Sequence, residues 1–270
     1  MRNALFAGAA LALVSLTACD SAGPPADSRS APVTLSITAA EGNAGAAAKS
    51  RTFTDEVGNA LTVDRTEIVL REIEFERDET TQSCPSAESG ADDDSSSDDG
   101  CEKIERGPFL VDVPLTSDDP TSILQAELPE GRWEEVEFEV HKLDDDDPED
   151  RQLLEDTGFP RDVSVRVTGT WTPASGPEMP FTYMSDLNED QEIELNPPLD
   201  VTADSPANVT FRLALSTWFR DGRGLLVDPD RGNDDGDLED LIEDNIERSI
   251  EAFEDDDRDG FADDNGRDDD

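Results

Sequence analysis

The sequence predicts a mainly β protein: an antiparallel β-sandwich with one C-terminal amphipathic helix. Two observations carry that prediction. From residue 33 to residue 219, apolar residues recur at every second position in short runs separated by turn-forming residues, the period of half-buried strands. Helical spacing of apolar residues is found late in the chain, in "DLEDLIEDNIERSIEAFED". Without helix-length apolar patterns between the strands, crossover helices and a parallel sheet are not expected.

Taken in order, "VTLSIT" sets Val33, Leu35 and Ile37 on one face. Runs at 61–63 and 68–75 follow, and in the second the apolar parity changes between Ile68/Leu70 and Ile73/Phe75. That change predicts a bulge, or a central strand covered on both faces. After runs at 109–115 and 123–128, "WEEVEFEV" turns Val136, Phe138 and Val140 inward and Glu135, Glu137 and Glu139 to water. The acidic run "DDDDPED", residues 144–150, reads as a solvated loop. "VSVRV", 181–184, 192–195 and "NVTFRLALS", with Val209, Phe211, Leu213 and Leu215, complete the strands. In the helix, Leu238, Leu241, Ile242, Ile246, Ile250 and Phe253 form the apolar stripe, with Asp237 as N-cap. It packs on the sandwich or serves as a partner-binding helix. The expected division is a sandwich domain at 33–227, an acidic loop and helix at 228–254, and an acidic disordered tail at 255–270.

Residues 1–18 read as an export signal, with Arg2 ahead of an Ala/Leu/Val-rich run too short to span a bilayer. Leu16-Thr17-Ala18-Cys19 resembles the lipobox of bacterial lipoproteins. The resemblance implies a diacylglycerol on Cys19, each buried methylene contributing about 0.8 kcal/mol to membrane attachment. Residues 19–32 are too polar to bury and read as a disordered tether. Asp20 resembles the inner-membrane retention signal of enteric bacteria, a rule that differs between bacterial groups, so the periplasmic face and the cell surface both stand. Setting Cys19 aside leaves Cys84 and Cys101, which in an exported chain predict a disulfide. It would clip the acidic loop 84–101, contributing about 3 kcal/mol at most.

The net charge is -47, from 68 acidic and 21 basic residues, and the lysines are Lys49, Lys103 and Lys142. With no basic patch to neutralise phosphates, nucleic acid is excluded as an ordinary partner. The charge repels itself in dilute buffer, whereas at about 1 M salt the screening length falls to roughly 3 Å. An acidic, lysine-poor composition resembles that of halophilic proteins.

Leu128-Pro129-Glu130-Gly131-Arg132-Trp133, leading into "EEVEFEV", suits a tight turn with an aromatic residue opening the next strand. This stretch, with "VDRTEIVLREIEF", "FLVDVPL" and "NVTFRLALSTWF" in similar order, resembles uncharacterised bacterial envelope lipoproteins with transthyretin-like or immunoglobulin-like sandwiches. The resemblance implies a sandwich over about 33–219 and brings no catalytic residues. The long acidic loops and the terminal helix depart from it.

Chemistry is sparse. The one histidine, His141, excludes His-rich zinc sites, and neither a Gly-rich phosphate loop nor a Gly-x-Ser-x-Gly elbow is present. Trp133, Trp171, Tyr183, Trp218 and Phe219 supply either core packing or a sugar-stacking platform. Calcium takes six to eight oxygen ligands, and Asp255, Asp257, Asp259, Gly260 and Asp263 fall at loop positions one, three, five, six and nine. The spacing resembles thrombospondin type-3 and EF-hand loops, but Gly266 stands where a bidentate glutamate belongs. Asp228, Asp230 and Glu239 in "DPDRGNDDGDLE" make a weaker second match.

The expectation is a lipid-anchored cell-envelope protein, a non-catalytic binding or structural module adapted to high salt, with the membrane and a protein or glycan as partners. The alternatives are a calcium-dependent adhesion or binding module and a carboxylate-based hydrolase. No cofactor is required, calcium being the one candidate.

Overall fold

The computed structural model describes residues 30–39, 50–77, 107–115, 120–202, 206–233 and 236–263. In chain order come β1 (Ser30–Thr38), β2 (Arg51–Thr54), β3 (Ala60–Arg77), β4 (Phe109–Asp112), β5 (Thr121–Pro129) and β6 (Gly131–Val140). Helix α1 (Pro148–Thr157) precedes β7 (Val165–Thr172), β8 (Met179–Ser185), β9 (Glu189–Val201) and β10 (Ala207–Leu213). A short helix α2 (Leu215–Trp218), a 3-10 turn (Pro229–Asn233), α3 (Gly236–Glu247) and β11 (Ile250–Glu254) finish the fold.

The protein is mainly β, two sheets packed as an open sandwich. One sheet runs β11-β10-β1-β5 and the other β8-β7-β3-β6-β9, with β2 and β4 also paired to the long β3. The inward residues that alternate in the sequence meet between them: Val33, Leu35 and Ile37, Val136, Phe138 and Val140, and Val209, Phe211 and Leu213 are all buried in one core. Phe138 and Phe211 touch across the sheets with ring centroids 4.6 Å apart. Each such side chain contributes about 1.5–3 kcal/mol by leaving water.

The parity change in β3 has both expected causes. The register with β6 slips between Arg71 and Glu74, and Glu72 adopts φ 50, the geometry of a bulge. Val69 lies on the opposite face from Ile68 and Leu70, in a separate small cluster with Leu143, Phe159 and Val163. Helix α1 supplies Leu153 and Leu154 to that cluster, so β3 is covered on both faces.

The Leu128–Trp133 turn is a corner between the sheets. It carries the chain from β5 in one to β6 in the other, and Gly131 holds φ 153 there. Trp133 opens β6 fully buried, with the Arg77 guanidinium 4.5 Å from its ring.

Several expectations need correction. The sheets are antiparallel except that β1 and β10 pair in parallel, Val33 opposite Ala207. The whole second sheet lies between these strands in sequence, so no hairpin fixes their relative direction. The "DDDDPED" run is not simply a loop, because Asp147 caps α1 by accepting from Glu149 and Asp150 N–H, with Pro148 in the first turn. Gly158 then closes the helix at φ 67, its N–H donating to Leu154 O. The C-terminal helix is therefore not alone, and it is shorter than its apolar stripe. It starts at Gly236 and stops at Glu247, and Ile250 and Phe253 belong to β11, which pairs antiparallel with β10. An open sheet edge offers these backbone groups a full ladder, and that outweighs further helix. Trp218 Nε1 donates to Ser249 Oγ, which donates to Ile246 O, fixing the reversal.

Of the tail expected to be disordered from residue 255, residues 255–263 hold a defined turn, and residues 264–270 lie outside the described residues. Asp255 N–H donates to Asn208 O and Asp263 N–H to Glu254 O, so the segment folds back as a turn. Arg258 Nη2 donates to Thr34 Oγ1, and Asn208 accepts from Ser36 Oγ, so this end of the chain helps cover the second face of β1.

Candidate functional site

The Asp-rich turn is built from its side-chain oxygens. Asp255 is fully buried, and its Oδ2 accepts from Thr210 Oγ1 at 2.7 Å and from Gly260 N–H at 3.1 Å. Its Oδ1 accepts from Asp259 N–H at 2.9 Å, and Asp259 in turn accepts from Phe261 N–H. These short carboxylates bond nearby main-chain donors, the tendency that places Asp in turns. Asp255, Asp257 and Asp259 each offer an oxygen within 4.8 Å of the other two. Asp263, the fourth expected ligand, closes the turn by accepting from Asp256 N–H at 2.6 Å. Burial raises the Asp255 carboxyl above the usual range, against the lowering pull of the Thr210, Gly260 and Asp259 donors. A divalent cation bound to the three oxygens would offset that cost of ionisation.

The second loop match is used differently. Asp228 accepts from Asp230 N–H, while Asp230 accepts from Thr182 N–H and Asn233 accepts from Met184 N–H and donates to Thr182 O. The segment mimics a neighbouring strand and caps the outer edge of β8, a guard against edge pairing. Glu239 lies apart, with Glu243 and Asp186.

A third carboxylate array is made by strand register. Glu76, Glu135 and Glu194 stand in one row across β3, β6 and β9, and Glu74, Glu137 and Glu192 in the next. Like charges directly opposite each other destabilise a sheet. Glu135 and Glu137 are held above the usual carboxylate range, first by burial and then by the facing glutamates, Glu76 and Glu192 among them. The alternation of these glutamates is visible in the sequence, but the registers that align them are not.

The aromatic residues do not form a platform. Trp133, Tyr183 and Trp218 are fully buried and Phe219 is 1% exposed, Tyr183 and Phe219 meeting edge to face. Trp171 lines an open cleft of about 560 Å³ with Asn59, Arg223, Leu226 and Leu238. Arg223 there is paired with Asp221. His141 is buried between Asp150 and Glu139. Cys19, Cys84 and Cys101 lie outside the described residues. No described helix is long and apolar enough to cross a membrane.

The chain matches no protein-family model, no curated protein and no solved structure.

Proposed function

We propose that the chain is a lipid-anchored cell-envelope protein whose β-sandwich is a non-catalytic binding or structural module adapted to high salt. The observation that carries the salt adaptation is the pair of facing glutamate rows on β3, β6 and β9. Such a surface repels itself in dilute buffer and is relieved where the screening length falls to roughly 3 Å. The lipobox-like Leu16–Cys19 and the sandwich lipoproteins that the Leu128–Trp133 stretch resembles both support the envelope setting. The non-catalytic reading is supported by His141, the residue a Ser-His-Asp triad would need, whose ring meets Asp150, Glu139 and Arg71 and, among the described residues, no hydroxyl that it could activate.

Thermal unfolding tests the salt adaptation. The melting temperature rises steeply between about 0.1 M and about 2 M NaCl, and replacing Glu135, Glu137 and Glu192 by Gln flattens the rise. A wild-type melting temperature indifferent to salt overturns it. Fractionation tests the anchor: Cys19→Ser moves the chain out of the membrane, and retention of that variant contradicts lipidation.

The second reading, calcium binding, is favoured by the convergence of Asp255, Asp257 and Asp259. Millimolar Ca²⁺ added in high NaCl would raise the melting temperature of the wild type and not of Asp257→Asn/Asp259→Asn. No shift beyond that of equal Mg²⁺ or ionic strength removes this reading.

A further inference from the structure

Where β8 ends, the sheet and α3 bring charged and neutral oxygens together. Phe181, Tyr183 and Ser185 are the buried, inward residues of β8, and Asp186 follows them at the surface. Glu239 and Glu243 stand one turn apart on α3, both half-buried, a like-charge spacing that opposes the helix. Asp186, Glu239 and Glu243 each offer an oxygen within 4.8 Å of the other two. Ser185 Oγ steadies the group by donating to Glu243 Oε1 at 2.6 Å. The cation in contact is Lys142, whose Nζ lies 3.2 Å from Asp186 Oδ2, so negative charge stays in excess.

Carboxylates alone would mark only a charged surface. The second feature is the hydroxyl of Tyr183, which is fully buried and has no hydrogen-bond partner among the described residues. A buried tyrosine hydroxyl ordinarily has one. The ring is not free to search: Phe219 meets it edge to face at 5.3 Å, and a Cβ on Gly232 would lie 3.1 Å from its Cε2. Ser185, next on the same face, already gives its one hydroxyl proton to Glu243 and accepts from Leu187 N–H. The phenol faces the three carboxylates. Its proton is held more tightly than in free tyrosine, first by burial and then by the charges of Glu243, Glu239 and Asp186, against the pull of Ser185. Glu243 is raised likewise, first by burial and then by Glu239, Asp186 and Asp240, against its Ser185 hydrogen bond.

A cation that carries water meets both needs. The ion offsets the repulsion among the carboxylates, and a water bound to it donates to the Tyr183 oxygen. Magnesium has that habit: it takes few carboxylates and keeps several waters, for which the half-exposed mouth leaves room. Calcium, which asks for more protein oxygens, is served less well. We propose that Asp186, Glu239 and Glu243 form a magnesium site that ties α3 to the end of β8, with Tyr183 hydrogen-bonded to a water on the ion. It shares no residue with the turn at 255–263 and does not rest on calcium binding there.

Tyr183 is the one tyrosine of the chain, so isotopic labelling of tyrosine places a single NMR reporter inside the site. In the full chain, with high NaCl screening loose ion binding, paramagnetic Mn²⁺ stands in for magnesium. Substoichiometric Mn²⁺ should broaden the Tyr183 ring signal, and Mg²⁺ should restore it at about tenfold lower concentration than Ca²⁺. Asp257→Asn/Asp259→Asn should broaden as the wild type does, whereas Glu239→Gln/Glu243→Gln should stay sharp. In the Asp257→Asn/Asp259→Asn background, Tyr183→Phe should bind Mn²⁺ about tenfold more weakly by water-proton relaxation. A wild-type signal that stays sharp overturns the proposal, as does broadening that survives Glu239→Gln/Glu243→Gln, better restoration by Ca²⁺, or unchanged affinity in Tyr183→Phe. If the double glutamine variant fails to fold, Asp186→Asn at the surface takes its place, and undiminished broadening there rejects the site.

Discussion

Two acidic regions of this molecule treat negative charge in opposite ways. In the turns at 144–150 and 255–263, aspartate oxygens accept from main-chain N–H groups: Asp144 from Asp146 and Asp147, Asp147 from Glu149 and Asp150, Asp255 from Asp259 and Gly260. On the outer sheet face, glutamates meet other glutamates across β3, β6 and β9. The difference follows from side-chain length. Asp is short enough to bond its own backbone and build a turn, whereas Glu on a strand is carried past the backbone to wherever register aligns it. Acidic residues here are thus structural where they are Asp in turns and opposed to the fold where they are Glu in rows.

That contrast can be broken most forcefully at Asp255. Asp255→Ala leaves Thr210 Oγ1 and the Gly260 and Asp259 N–H groups without their acceptor, and should cost about 3 kcal/mol by denaturant unfolding, with little dependence on salt. A loss that disappears in concentrated NaCl would place Asp255 with the glutamates. Asp147→Ala removes the cap of α1 and should cost about 1 kcal/mol, again at any salt concentration. Glu137→Gln should act in the other direction, stabilising by about 0.5 kcal/mol in dilute buffer and by progressively less as salt rises. The same substitution sharpens the comparison through pH. The folded carboxyls of Glu135 and Glu137 lie above the ordinary glutamate value of 4.5, so the fold binds protons more readily than the unfolded chain. Their stabilising protonation is complete below that value and is lost as pH rises through the raised folded values. Lowering pH from neutrality toward the carboxylate range should therefore raise the melting temperature, and Glu135→Gln/Glu137→Gln should weaken that rise. An unchanged pH profile in the double variant would sever the rows from the effect.

The strands were legible because period-2 patterning follows directly from burial on one face, and Val136, Phe138 and Val140 lie inward as their alternation predicts. The elements that escaped are those decided by competition between distant groups. Ile250 and Phe253 satisfy a helical stripe, yet the edge of β10 claims them as strand. Helix α1 was signalled by Asp147, Pro148, an acidic first turn and Gly158, but its apolar contribution is largely Leu153 and Leu154, too few for periodicity to register. At the candidate site, the spacing of Asp255, Asp257 and Asp259 anticipated their convergence, while nothing local indicated that Thr210 would bury the first of them. That His141 is buried against Asp150 was not legible, because Asp150 lay in a run of carboxylates that sequence alone could not rank.

Strand β1 is held between β5 on one side and β10 on the other, antiparallel to the first and parallel to the second. It is also the strand that follows the N-terminal segment. A pull transmitted through residue 30 runs along the axis of β1, so it loads both seams in shear, and their hydrogen bonds must yield together. The strand nearest the expected anchor is thereby the one whose mechanical rupture requires the four-stranded sheet to part along two lines at once.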